Sequence, residues 1–177
     1  MRNLALLALP IAMAAAPAFA QDATGTVDID GSVAGRCLFT VPNETISLGE
    51  MALGGADTNA GKLDASKVNG RSATLKGWCN NAAAGMTVKA FALENTAAAA
   101  TGFTNRVDFT ATATANSVAA TDTTTTDLAG DTATVGLFTG DVVVDLSDAD
   151  AGNALLVAGT YNGSVEVTLS PMFMPPV

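Results

Sequence analysis

Cys37 and Cys79 are the two cysteines of the 177-residue sequence. A C-x-x-C redox motif is absent, and an even cysteine count in an exported chain argues for one disulfide. That bond closes a loop of about 43 residues and contributes about 4 kcal/mol through the entropy it removes from the unfolded chain. Histidine is missing altogether, which removes Ser-His-Asp triads, His-ligated zinc and the usual general base. Among the carboxylates, Asp28 and Asp30 fall on one face of one strand. Nothing sets two acids across a cleft, as glycoside hydrolysis needs. Leu53-Gly-Gly55 lacks the Lys-Ser/Thr of a phosphate cradle. The run Asp145 to Asn153 offers oxygens to calcium but matches no EF-hand loop, and reads as a solvated turn. Trp78 adjoins Cys79, which reads as a ring packed on the disulfide in the core. These residues predict no enzyme, no metal and no cofactor.

The elements that position the cysteines are strands. Residues 1–20 read as a signal peptide, with Arg2, an apolar run from Leu4 to Ala16, and Ala18-Phe19-Ala20 at the cleavage site. The product is therefore expected to be exported. Eight basic residues against seventeen acidic ones give a net charge of −9, which disfavours nucleic acid and anionic membranes as partners. Beyond the leader, short alternating runs recur. They include Ile46 to Gly49, Ala73 to Cys79, Met86 to Leu93 and Arg106 to Thr112. Thr134 to Phe138 and Val142 to Leu146 read as a hairpin around Thr139-Gly-Asp141. Tyr161 to Leu169 alternates as strictly as the opening stretch Thr24 to Cys37. The Thr/Ala-rich stretch 96–131 suits exposed strands or loops. The pattern predicts an all-β, immunoglobulin-like antiparallel sandwich.

Both ends of the mature chain are amphipathic. In Thr24-Gly-Thr-Val-Asp-Ile-Asp-Gly-Ser-Val-Ala-Gly-Arg-Cys37, Val27, Ile29, Gly31 and Val33 share one face, while Asp28, Asp30 and Ser32 share the other. Either this stretch pairs within its own domain, or it fills a gap in the next subunit by strand addition. The second route accounts for Gly31, if one shallow site in the groove has room only for glycine.

This opening stretch resembles the N-terminus of chaperone–usher fimbrial pilins, the archaic, spore-coat-U-like branch more than the type-1-like one. Ser72-Ala-Thr-Leu-Lys-Gly-Trp-Cys79 resembles their second cysteine strand, and Ala158-Gly-Thr-Tyr-Asn-Gly-Ser-Val-Glu-Val-Thr-Leu169 their closing strand. The resemblance implies an incomplete sandwich, residues 37–177, completed by a neighbour's donor segment, residues 21–36. It implies a periplasmic chaperone that lends a strand, an outer-membrane usher, and identical or related pilin subunits as partners in a cell-surface fimbrium. Carried onto this chain, Val27, Ile29, Gly31 and Val33 are the donor residues and Cys37 and Cys79 the disulfide. Val165, Val167 and Leu169 line the acceptor groove and face the chaperone. The chain departs from the family in running on past the closing strand as Ser170-Pro-Met-Phe-Met-Pro-Pro-Val177, and in lacking an aromatic-rich middle. The competing expectation is a self-complete secreted sandwich that binds a carbohydrate or protein ligand as a monomer.

Overall fold

The computed structural model describes residues 22–126 and 130–172, so the leader and most of the proline-rich tail lie outside the described residues. The chain divides after Val33, and the described residues from Ala34 onward form one compact unit. Among the described residues ten strands run in chain order: β1 Cys37–Val41, β2 Ser72–Cys79, β3 Gly85–Glu94, β4 Phe103–Thr104, β5 Arg106–Ala115, β6 Val118–Thr123, β7 Thr132–Thr134, β8 Phe138–Asp150, β9 Leu155–Leu156 and β10 Asn162–Ser170. Apart from the short parallel pair β4–β9, every pairing is antiparallel.

Hydrogen bonding runs in the order β1-β2-β8-β5-β3-β10, with β6 on β5 and β7 on β3. β5 joins two layers. Its first residues pair with Leu93 and Glu94 of β3. From Thr110 onward it lies between β6 and β8. The result is an antiparallel sheet nearly closed on itself. Among the described residues β1 pairs only with β2, and β10 only with β3. These two end the strand order, and no backbone pairing joins them among the described residues. Prolines stop both: Pro42 follows β1 and Pro171 follows β10, and neither has an N–H for a ladder.

Alternation builds the core. Met86, Val88 and Ala90 of β3 face Ala111, Ala113 and Ala115 of β5 and Val142, Val144 and Leu146 of β8, all buried. Asp122 is buried among them, and its Oδ2 accepts the Ala90 N–H at 2.7 Å, where the β3 edge has no strand neighbour. The Thr/Ala-rich stretch is thus not a set of exposed strands throughout. Ala111, Ala113, Ala115 and Ala120 form a core face, because small side chains let β5 lie close to the facing layer, whereas Ala97 to Ala100 are exposed.

Three further expectations are overturned. Thr139-Gly-Asp141 is not a turn. It pairs with Trp78, Gly77 and Lys76 inside an unbroken β8, and Gly140 takes a φ of 143° that a side chain disfavours. Ile46 to Gly49 forms no strand, although Ile46 and Leu48 pack against the core. Trp78 does not stack on the disulfide within the core. Neighbours along a strand point to opposite faces, so with Cys79 inside, Trp78 is half-buried on the outer face, opposite exposed Leu38.

Outside the core, Asp108 Oδ1 accepts from Arg106 Nε at 2.9 Å and from Thr124 Oγ1 at 2.7 Å. Burial alone would raise its pKa, but the hydrogen bonds from Arg106 and Thr124 and the Arg106 charge outweigh burial and hold it below its ordinary value. A depressed carboxyl contributes stability above its unfolded pKa and loses it as pH falls through the folded one. Asp108→Asn is therefore expected to flatten the loss of stability below about pH 4, measured as the urea midpoint against pH.

Candidate functional site

Between the two terminal strands lies a cavity of about 660 Å³. One wall is β10, from Gly163 to Thr168. The other is Phe39 of β1 and the irregular segment from Pro42 to Leu48. At its base lie Leu93, Phe109, Val144 and Leu146, inward-facing residues of β3, β5 and β8. Six consecutive residues of β10 define its length, roughly 17 Å at strand rise. The opening therefore has the dimensions of an extended segment.

The exposure of β10 sets it apart. Val142, Val144 and Leu146 of β8 are buried, whereas Val165 and Val167, on the inner face of β10, are only half-buried. Both line the cavity. Leu169, expected beside them, packs beyond the cavity against Gly77, where an added Cβ would lie 3.1 Å from the Leu169 Cδ1. Cys37 and Cys79 form the disulfide, directly opposite each other across β1 and β2 with Cα atoms 4.2 Å apart. This bond ties the outer wall of the groove to the sheet.

The opening stretch is read as a strand, but the single chain does not form it there. Residues 22–36 have no regular secondary structure, and Val27, Ile29 and Val33 are 85, 92 and 88% exposed. Among the described residues a Cβ on Gly31 would meet nothing within 4 Å. A one-sided apolar sequence has no ladder unless an edge accepts it.

Sequence reasoning did not single out two positions. Asn80 is the first. Its Nδ2 donates to the Ala34 carbonyl at 3.0 Å, and its Oδ1 accepts the Arg36 N–H. It thus fixes the direction in which the chain enters β1. Gly163 is the second. A Cβ there would lie 2.8 Å from the Phe91 and Ala92 carbonyl oxygens, at the register shift between Asn162 and Ser164. Gly163→Ala is expected to displace the start of β10 and cost about 1–3 kcal/mol, read as a lowered urea midpoint. The N-G-S sequence at 162–164 is the signal that marks such a bulge, since glycine inside a strand implies close backbone approach.

No known protein family, characterised relative or solved structure matches the chain.

Proposed function

We propose that this chain is a structural subunit of an extracellular bacterial pilus or fibre, in which the opening segment of one copy fills the groove of the next. The observation that carries this reading is the half-exposed inner face of β10, beside an edge with no partner among the described residues. Its complement is a segment with apolar residues at every second position and no ladder of its own. Strand addition supplies main-chain hydrogen bonds for affinity and side-chain sites for register. Val27, Ile29 and Val33 enter the groove, with Gly31 at its shallowest point. The partners on this reading are identical or related pilin subunits, a periplasmic chaperone that covers the groove before assembly, and an outer-membrane usher. The Cys37–Cys79 disulfide suits an oxidising route of export.

The test is a denaturing gel of material sheared from the surface of the producing cells, run with and without boiling. A ladder of multiples that collapses to one band on boiling is expected, because non-covalent strand-exchanged polymers are held by a high unfolding barrier. A monomer band in both lanes would replace this reading with a self-complete secreted sandwich that binds a carbohydrate or protein ligand as a monomer.

A further inference from the structure

The groove carries charge on its margins as well as apolar side chains within. Glu166 on β10 and Glu44 on the opposite wall both line it, and both are exposed. No basic side chain lines it. The nearest base across the ladder from Glu166 is Lys89 of β3. Lys89 sits over the Phe91 ring, 5.0 Å from its centroid, and no ion pair joins it to Glu166 among the described residues. Lys76, on the outer face of β2 opposite Val41, is already paired with Asp141 at 3.5 Å.

Now consider the opening segment seated with Val27, Ile29, Gly31 and Val33 inward. Its outward residues are Asp28, Asp30 and Ser32. On β10 the outward positions between Val165 and Leu169 are Glu166 and Thr168. Whether the segment runs parallel or antiparallel to β10, a register that places Ile29 or Gly31 beside Val165 or Val167 sets Glu166 opposite or diagonal to an aspartate. Like charges at those positions on neighbouring strands are destabilising. The segment's one base, Arg36, lies past the last inward position, where Asn80 holds its backbone.

We propose that the groove selects its occupant by the charge of the strand's outward residues. It takes up a strand from another protein with alternating apolar residues and lysine or arginine between them more tightly than it takes up the opening segment of a second copy. This rests on the reading of the groove as a strand acceptor. Assembly between copies then strengthens with ionic strength, while capture of the basic strand weakens with it.

The experiment uses the full chain carrying Ile29→Asp, so that its own segment does not compete. Fluorescent peptides of residues 22–35 are titrated in at low salt and at about 1 M salt. The peptides are the native sequence, D28K/D30K, I29D and the triple D28K/I29D/D30K. D28K/D30K is expected to bind about 3- to 10-fold more tightly than the native peptide at low salt, with the gap closing at high salt and narrowing in a chain that also carries Glu166→Gln. Equal affinity of native and D28K/D30K peptides, with I29D weaker, would overturn charge selection and leave the acceptor reading standing. Binding of the triple peptide as tight as that of D28K/D30K would also overturn it, since the attraction would then be to the acidic surface at large. Failure of every peptide to bind would overturn the acceptor reading itself.

Discussion

Replacing Ile29 with aspartate is expected to abolish polymer formation while leaving the disulfide-bonded domain folded. Three apolar donors buried at roughly 1.5–3 kcal/mol each give about 5–9 kcal/mol. Ordering the backbone of the segment costs about 1–2 kcal/mol per residue, so apolar burial and chain entropy nearly cancel. The main-chain ladder then decides the balance. Against so narrow a margin, Ile29→Asp removes one of the three buried side chains and places a carboxylate in an apolar groove, which costs several kcal/mol more. The gel ladder should collapse to monomer without boiling. Because Ile29 is 92% exposed in the single chain, the unfolding free energy of the isolated subunit in urea should stay within about 0.5 kcal/mol of the parent. A normal ladder from Ile29→Asp subunits would remove this face from the assembly contact.

The second large effect is expected from the disulfide. The double substitution Cys37→Ala with Cys79→Ala opens a loop of sequence separation 42, and the loss should be about 4 kcal/mol, a large part of the stability of a domain this size. Position makes it functional as well. Among the described residues β1 has β2 as its only strand partner, and β1 begins the outer wall of the groove. Without the bond, that wall is held by five residues of edge strand. The double variant should therefore unfold at much lower urea and take up the 22–35 peptide more weakly even where it remains folded. Trp78, the single tryptophan, neighbours Cys79 and reports unfolding by fluorescence. An unchanged midpoint would mean that the unfolded chain is already compact around the loop.

Much of the fold is legible along the chain because a strand writes its two faces into alternate residues. β2, β3, β5 and β10 fall where Ala73 to Cys79, Met86 to Leu93, Arg106 to Thr112 and Tyr161 to Leu169 place them. The disulfide follows from having two cysteines and no more. The misreadings share one cause. Gly140 punctuates the pattern as a turn glycine would, yet Gly77 lies opposite it and the ladder passes straight through. Ile46 and Leu48 alternate, but alternation without a neighbouring edge makes no strand. The alanines of β5 carry little hydropathy, and only the layer facing them makes them core.

The sequence by itself therefore determined which faces are apolar, where the chain cannot continue a ladder (at Pro42 and Pro171), and that the opening segment has one dry side. Those are local properties, set by residue type and a period of two. Only the tertiary structure decided which edges find partners. It left β1 and β10 without a ladder between them and opened a groove over Phe109, Val144 and Leu146. It also set Glu166 on the rim of that groove. Edge pairing joins residues as far as 85 positions apart in this chain, Gly85 to Ser170, and no window of neighbouring residues records which backbone will lie alongside which.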